Sequence, residues 1–362
     1  MLDRRALLAA AVAAFPAAAR ARDAAPDPNA AREAAGVPAL GGVWIEGGEV
    51  RWLEAVGLRA LGADAAVTTA DPWHLGSNTK AMTAALFARL VEAGRTDWDA
   101  GVVDLLPGVA ADPAWAGTRL TELMAHRAGL LDQGLLDVAW LNAARADTRT
   151  MVEQRRALAA RALATPPAGE VGAFAYGNAN YIVVGAALEA LTGQPWEALM
   201  RREVFGPLGM GSAGFGPPTG EAPLGHAGVF GQLSAMTPET PGADNPQALG
   251  PAGTVHASLA DYARFLRAFT GWEHGWLSAD SIRRLMSPSG ADGAYALGWG
   301  VVRQGWAAGP VLAHEGSNTR WHALALVDPA GGRALATVSN GGPRGGPACQ
   351  TLAGEMIRAF AA

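Results

Sequence analysis

The 362-residue chain contains a single lysine, Lys80, against twenty-seven arginines, since lysine and arginine together number 28. Arginine therefore supplies the surface cations, and the position of the one lysine requires a property that a guanidinium group lacks. An arginine side chain keeps its proton in proteins, whereas burial and a nearby positive dipole can lower the pKa of a lysine ammonium group until it acts as a base. Lys80 is thus the first candidate for a catalytic residue.

Cysteines, basic clusters and long apolar runs are also scarce. The one cysteine, Cys349, excludes an internal disulfide, and we expect it to be buried beside a C-terminal helical pattern. The net charge is −5 and the arginines are interspersed with acidic residues, so nothing indicates binding of nucleic acid or of an anionic membrane. Beyond the N-terminus no stretch approaches about twenty uninterrupted apolar residues, so we expect no stable membrane span. The histidines show no metal-ligand spacing, and we expect neither a metal nor a cofactor.

The N-terminus is typical of a bacterial export signal of the twin-arginine (Tat) type. Arg4 and Arg5 precede a short apolar run at residues 6–19, and the small residues of Ala19-Arg20-Ala21, one on each side of the arginine, offer a cleavage site. We therefore expect residues 1–21 to be a cleaved signal, with an uncleaved anchor as the alternative. Residues 22–38 are predicted to be a flexible leader rich in alanine and proline. This interpretation places the mature protein in the periplasm or outside the cell.

The order of strand and helix patterns predicts an α/β (α+β) domain over residues 39–362. Strand patterns occur near both ends of the chain, at residues 42–45, 50–53, 297–302, 311–314, 321–327 and 334–338. Consecutive strands are joined by tight turns, so we expect an antiparallel sheet flanked by helices. Helical periodicity dominates between the two ends and predicts a large inserted helical region at about residues 100–290.

One long segment, residues 211–254, is rich in glycine and proline and has little periodicity. Irregular segments of this length are uncommon in compact domains unless they serve a function. We interpret it as a rim or lid over a site, with a disordered surface loop as the alternative.

Ser77 stands three residues before Lys80, at the edge of a helical pattern. Residues three apart on a helix lie on the same face, so the amine can reach the serine hydroxyl and remove its proton. The helix N-terminus adds partial positive charge and N–H groups, which stabilise an oxyanion and favour the neutral amine. The spacing predicts a nucleophile, Ser77, with Lys80 as its base, although a serine-lysine pair at this distance also arises by chance.

Two of the four tyrosines, Tyr176 and Tyr181, flank Asn178. A phenol near a cationic lysine can relay a proton, and the amide of Asn178 can orient a substrate carbonyl or amide group. The alternative is the entry loop of a helix, in which asparagines cap the helix and a tyrosine packs inward. We favour this alternative for Tyr181 and a functional role for Tyr176 and Asn178.

A third polar segment follows the predicted strand at residues 311–314. Gly316 lets a substrate backbone come close, and the N–H of Ser317 can form an oxyanion hole with the N–H of Ser77. His314 can supply a hydrogen-bond donor or a positive charge opposite the serine. A satisfied structural histidine before a turn is the alternative for His314.

Together these segments resemble the Ser-x-x-Lys, Tyr-x-Asn and Lys/His-x-Gly motifs of the serine β-lactamase and penicillin-binding-protein family. The resemblance is to the branch of class C β-lactamases, D,D-peptidases, D-aminopeptidases and esterases. The motifs correspond, in order, to Ser77 and Lys80, Tyr176 and Asn178, and His314 and Gly316. Further segments similar to the family are residues 120–130, 204–210, 251–253 and 297–300, so the resemblance spans about residues 43–340. It implies acyl transfer to the serine, with the lysine and the tyrosine sharing the acid–base steps and water completing hydrolysis.

Two positions depart from the family pattern. His314 replaces the lysine of class C β-lactamases, and Glu315 stands where the family commonly has a small or hydroxylated residue. A carboxylate at Glu315 would repel the carboxylate of β-lactams and peptides unless Arg320 neutralises it. This departure favours uncharged esters or amides as substrates.

We therefore predict an exported serine hydrolase that acts through an acyl-enzyme on Ser77. Its substrate is expected to be a small ester, amide or peptide, and the enzyme to be of esterase, D-amino-acid peptidase or β-lactamase type. The alternative is a non-catalytic relative that serves as a binding or scaffolding module. The complete set of motifs argues against that alternative, but the fold does not decide the substrate, because one scaffold hosts many.

Overall fold

An antiparallel sheet built from both ends of the chain organises the protein, in a computed structural model that describes residues 25–271 and 275–361. The strands are β1 (Ala39–Glu46), β2 (Glu49–Gly57), β3 (Trp73–His74), β4 (Gly214–Phe215), β5 (Gly225–Val229), β6 (Gln232–Met236), β7 (Val255–Ala257), β8 (Gly300–Arg303), β9 (Pro310–Ser317), β10 (His322–Asp328) and β11 (Arg333–Ser339). The main sheet has six strands in the order β2-β1-β11-β10-β9-β8, so the first hairpin pairs with the last strand. The predicted α/β class and antiparallel sheet are confirmed.

Helices flank this sheet and fill the middle of the chain. They are α1 (Pro28–Ala35), α2 (Thr79–Glu92), α3 (Leu120–Met124), α4 (Val138–Ala146), α5 (Met151–Leu163), α6 (Asn178–Thr192), α7 (Trp196–Met200), α8 (Gly206–Leu208), α9 (Gly250–Gly253), α10 (Leu259–Arg267), α11 (Ala279–Met286) and α12 (Gly345–Phe360). A π-helical turn, Arg201–Phe205, joins α7 to α8. Most of these helices lie between β2 and β8, as the helical periodicity predicts.

The two faces of the sheet are buried against different helices. Strand alternation sends Trp44 towards α12 and its neighbours Val43 and Ile45 to the opposite face, where the main core lies. The Trp44 ring is fully buried and contacts Phe360 of α12 at 5.5 Å between ring centroids. The face towards the main core carries α10 and α2, and this face also holds the candidate site.

The leader that the sequence predicted to be flexible is folded from residue 28 onwards. Asp27 accepts a hydrogen bond from the Ala30 N–H (2.9 Å), Pro28 occupies the first helical turn, and Gly36 ends α1 in the left-handed conformation. Its Ala31 is buried in the cluster beneath α12. The prediction of a flexible leader to residue 38 was therefore wrong for this part, since an apolar helix face contributes to the core. The predicted signal, residues 1–21, lies outside the described residues.

A buried charged cluster joins the helical region to residues 211–254, the glycine- and proline-rich segment that contains β4, β5, β6 and α9. Arg155 of α5 is fully buried and donates hydrogen bonds to Glu189 of α6 (2.6 Å) and to Glu197 of α7. It also donates to the carbonyl of Ala248 (3.2 Å). Since a buried guanidinium requires such partners, this cluster fixes the chain just before α9.

The described residues contain no helix that is both long enough and apolar enough to cross a membrane.

Candidate active site

Ser77 lies in a 3₁₀ turn, Gly76–Asn78, directly before α2. The buried side chain of Asn78 stabilises this turn, because its Nδ2 donates a hydrogen bond to the carbonyl of Leu75 (2.9 Å). The hydroxyl of Tyr262 donates to Asn78 Oδ1 (2.8 Å) and ties the turn to α10. The turn thus holds the serine at the N-terminus of α2, where the sequence placed it.

Lys80 is completely buried, and its amine is surrounded by three hydrogen-bond partners. Lys80 Nζ lies 3.0 Å from Ser77 Oγ, 2.9 Å from Asn178 Oδ1 and 2.7 Å from the carbonyl oxygen of Ala252. The last two atoms can only accept hydrogen bonds. The ammonium form can donate to all three partners; once it has lost a proton, the amine can still donate to Asn178 and Ala252 and accept the hydroxyl proton of Ser77. The arrangement therefore suits a lysine that removes the proton from the serine.

Tyr176 lies against the same amine. Lys80 Nζ is 4.8 Å from the centroid of the Tyr176 ring, and the ring of His126 packs on the phenol at 4.5 Å between centroids. Tyr181 instead is fully buried and donates its hydroxyl to the carbonyl of Met124 (2.8 Å), which matches the packing role expected for it. The structure thus brings the first two motifs together around one amine.

Asp132 is a site residue that the sequence analysis missed. Its carboxylate accepts a hydrogen bond from the N–H of Ala179 (2.8 Å) in the first turn of α6 and lies 3.4 Å from Asn178 Nδ2. A carboxylate can only accept, so it draws the NH₂ group of Asn178 towards itself and turns Asn178 Oδ1 to Lys80. Asp132 therefore orients the amide that holds the lysine.

Two glycines let the third motif approach the serine. A Cβ atom on Gly76, whose φ is +53°, would lie 2.4 Å from the N atom of Ser317. A Cβ atom on Gly316 would lie 2.0 Å from the carbonyl oxygen of Leu75 and 2.7 Å from the N atom of Ser77. Side chains would be forced into backbone at both positions, so only glycine allows this crossing of β9 over the turn. The crossing sets the backbone at residues 316–317 directly against the backbone at residues 75–77, and the oxyanion hole predicted from the sequence takes one N–H group from each of these two segments.

Replacement of Gly316 by alanine should therefore cost about 10²-fold in kcat/KM, because the added methyl group pushes β9 away from the serine turn and separates the two donors. Steady-state kinetics on any turned-over ester measures this loss. Gly211→Ala is a matched control, since a Cβ there meets nothing within 4 Å and its φ is not positive. A Gly316→Ala enzyme as active as the Gly211→Ala enzyme would contradict the proposed position of the oxyanion hole.

His314 is buried and neutral, which differs from the positive charge considered from the sequence. Its Nδ1 lies 2.8 Å from the carbonyl oxygen of Glu315, so Nδ1 carries the proton. Its Nε2 then accepts from the hydroxyl of Tyr295 (3.1 Å). Burial, followed by the positive charge of nearby Lys80, lowers the pKa of His314 to about 3. Both ring nitrogens are occupied, so His314 supports the site through Tyr295.

The depressed pKa of His314 makes the fold sensitive to acid. The unfolded chain binds a proton on this histidine below about pH 6.5, whereas the folded chain does so only near pH 3, so acidification between these values favours unfolding. We expect the Tm to fall from pH 7 to pH 4 and to fall less steeply in His314→Gln. Differential scanning calorimetry over this range measures both slopes. Equal slopes in the two proteins would show that His314 is not the group responsible.

Glu315 faces away from the serine, so the predicted repulsion of anionic substrates by this residue was wrong. It shares a strand face with Val311 and Ala313, which belong to the cluster beneath α12. Its carboxylate accepts a hydrogen bond from Gln350 Nε2 of α12 (2.9 Å) and lies 3.4 Å from His322 Nε2. Strand β9 continues to residue 317 instead of ending at 314, and alternation along it turns Glu315 to the opposite side of the sheet.

A cavity of about 450 Å³ opens beside the nucleophile. Its lining includes Ser77, Asn178, Arg145, Asp244, Ser317 and Arg320. Arg320 thus lies where the sequence placed it, and Arg145 of α4 is an addition that the sequence analysis did not suggest. Asp244 belongs to residues 211–254, so this segment forms one wall of the cavity, in agreement with its interpretation as a rim. Among the described residues, no group of three or more His, Cys, Asp or Glu side chains is arranged to hold a metal ion.

Comparisons with known proteins agree with these motifs. The beta-lactamase family model matches residues 12–355. Penicillin-binding protein 4 of Amycolatopsis lactamdurans is 28% identical over 307 residues, which are 80% of this chain and 77% of that protein. The unguisins hydrolase ungD of Aspergillus violaceofuscus is 26% identical over 333 residues, which are 81% of this chain and 56% of that protein. The chain therefore spans little more than half the length of the fungal relative.

Solved structures share the fold. The D-amino acid amidase from Ochrobactrum anthropi SV3, complexed with L-phenylalanine, superposes with a TM-score of 0.71 at 18% identity and covers 91% of this chain and 95% of its own. The octameric penicillin-binding protein homologue from Pyrococcus abyssi has the same TM-score at 19% identity, covering 86% of this chain and 71% of its own.

Proposed function

Because the chain belongs to the beta-lactamase family, we propose that it is a serine hydrolase that acts through an acyl-enzyme on Ser77. The observation that carries the proposal is the contact of Lys80 Nζ with Ser77 Oγ at 3.0 Å, with two acceptor atoms around the same amine. A buried lysine held in this way is a base ready for the adjacent hydroxyl.

The reaction begins when Ser77 Oγ attacks the substrate carbonyl carbon and its proton passes to Lys80 Nζ. The oxyanion that forms is stabilised by the N–H groups of Ser77 and Ser317 at the glycine crossing. The proton then moves to the leaving group, with Tyr176 sharing this step because its ring lies beside the amine. Water attacks the resulting ester at Ser77, and the same groups return the serine to its free form.

The substrate in this proposal is an ester or an amide of small size, since the cavity holds about 450 Å³. Relatives by sequence include proteins named as a penicillin-binding protein and a hydrolase, which supports hydrolysis without selecting one substrate, while the D-amino acid amidase shares the fold. We extend the proposal to export, on the twin-arginine sequence at the N-terminus.

The acyl-enzyme is tested directly by covalent trapping. Purified protein is treated with a fluorophosphonate and, separately, with a labelled penicillin, and the intact mass and the modified peptide are determined by mass spectrometry. We expect one adduct on the peptide that contains Ser77 and no adduct in Ser77→Ala. If neither reagent adds mass at Ser77 between pH 6 and pH 9, the chain is a binding or scaffolding module instead.

A further inference from the structure

Two guanidinium groups line the cavity beside Ser77 without a carboxylate partner. Arg145 Nη2 donates to the carbonyl of Asp244 (3.1 Å) and its Nη1 to the carbonyl of Leu141 (3.5 Å). Arg320 Nε donates to the carbonyl of Gly242 (3.4 Å). Within the described part of the chain, neither arginine forms an ion pair, whereas Arg149 and Arg155 do.

Arg320 occupies a fixed position. Its N–H donates to Asn318 Oδ1 (3.0 Å), and its carbonyl accepts from the N–H groups of His226 (3.2 Å) and Gly342 (3.0 Å). A Cβ on Gly225 would meet the Cβ of Arg320 at 2.6 Å, so strand β5 packs directly on it. The guanidinium group therefore extends from a rigid backbone towards the cavity.

Asp244 organises both arginines without forming an ion pair with either of them. Its carboxylate binds His74 Nε2 (2.9 Å) and Asn318 Nδ2 (2.8 Å), while its carbonyl oxygen receives Arg145. The same residue thus holds the asparagine that fixes Arg320 and the guanidinium group of Arg145. The carboxylate of Asp244 therefore makes its hydrogen bonds to His74 and Asn318, and neither guanidinium group is paired with it.

The two like charges are costly to hold together in a partly buried place. Burial, and after it the charge of Arg145, lowers the pKa of the Arg320 guanidinium group below its usual value. A bound anion would relieve this repulsion and replace lost hydration with charge-assisted hydrogen bonds.

We propose that Arg145 and Arg320 together bind an anionic group of the substrate, a carboxylate, beside the bond that Ser77 attacks. The proposal rests on the serine hydrolase function proposed above and specifies its substrate class as acidic esters or amides. It replaces the preference for uncharged substrates that Glu315 suggested, since Glu315 lies on the far side of the sheet. The pair is formed by α4 and by the turn that follows the third motif, so neither arginine belongs to the three motifs themselves.

The test compares esters that differ only in one carboxylate. In the first pair, mono(4-nitrophenyl) glutarate carries a carboxylate on its acyl side and 4-nitrophenyl pentanoate is its neutral match. In the second pair, the acetyl ester of 3-hydroxybenzoate carries the carboxylate on its leaving group and the acetyl ester of 3-hydroxybenzamide is the neutral match. The ratio of kcat/KM for the charged and the neutral ester is measured in wild type, Arg145→Gln and Arg320→Gln. We expect the ratio to fall about ten-fold in both variants for at least one pair of esters, because a partly buried charge contact is lost.

Arg283→Gln provides a matched control, because it removes one positive charge from the exposed surface of α11 and should leave both ratios unchanged. Ratios that stay constant in Arg145→Gln and Arg320→Gln for both pairs of esters would overturn the inference, even if the neutral esters still acylate Ser77. Hydrolysis of the neutral esters by Ser77→Ala at the wild-type rate would instead overturn the proposed function.

A binding measurement covers the case in which none of these esters is turned over. The Tm of Ser77→Ala is measured with 3-hydroxybenzoate and with 3-hydroxybenzamide at equal ionic strength. We expect stabilisation by the acid alone, and its loss when Arg145→Gln is added. Equal shifts with the acid and the amide, or no shift with either, would count against an anion site.

Discussion

We expect replacement of Ser77 by alanine to abolish hydrolysis, with a fall in kcat/KM of about 10⁴-fold or more, while the protein remains folded. The side chain is only partly buried, and its known contact is the one with Lys80. Loss of the hydroxyl removes the nucleophile but leaves the N–H of residue 77, the turn and the two other partners of the lysine in place. The expected result is therefore a correctly folded protein that does not hydrolyse the ester.

The measurement combines initial rates on an activated ester with the Tm and the circular dichroism spectrum. Ser234→Ala serves as a control, because this serine is exposed on β6 and far along the chain from the three motifs. Substantial turnover in Ser77→Ala, with a mass adduct on another residue, would show that another residue is the nucleophile and would contradict the mechanism proposed above.

Lys80→Arg should lower kcat/KM by about 10³-fold, the range that a general base contributes. The variant keeps the positive charge but has no lone pair to accept the serine proton, so it separates a catalytic base from an electrostatic support. Single-turnover kinetics should place the loss in acylation, since that step begins with the proton transfer.

The larger guanidinium group must fit into a completely buried place, so Lys80→Met is a necessary companion. Methionine is similar in length and apolar, and equally low activity in both variants with unchanged Tm values would assign the loss to the missing base. Near-normal activity in Lys80→Arg would show that the lysine supplies only charge.

The motifs and the sheet could be predicted because they depend on local pattern. Alternation of apolar residues marked the strands at both ends, and the lone lysine three residues after a serine marked the nucleophilic turn. The helix α1 could also have been found, since Asp27 before it, Pro28 in its first turn and Gly36 after it are ordinary start and stop signals. They were missed because alanine and proline content was interpreted as flexibility.

The errors at the third motif have one physical cause. The predicted strand ended at residue 314, so the following residues were treated as a turn whose side chains all face the substrate. In the structure β9 runs on to Ser317, and the two-residue period puts His314 and Gly316 on the site face and Glu315 on the other. Extension of the predicted strand from residue 314 to residue 317 would have assigned Glu315 to the correct face.

Asp132 and Arg145 could not have been predicted in this way. Each acts on residues more than forty positions away, through contacts with Asn178 and Asp244 that only the packed fold creates. Charged residues in loops or on exposed helix faces carry no periodic signal, so their roles emerge from geometry alone.

Because the single lysine is fully buried, cleavage after it can be used to measure how often the folded protein opens. A protease that cuts only after lysine has one site in the whole sequence, the bond that follows Lys80, and that bond lies in the first turn of α2 beneath the sheet. Cleavage therefore requires the core to open, and the rate at which two fragments appear reports the population of open molecules when closing is faster than cutting. Because the same side chain contacts the hydroxyl proposed as the nucleophile, a ligand that binds there and stabilises this region should slow proteolysis, and the logarithm of the rate should fall in proportion to the stability that the ligand adds.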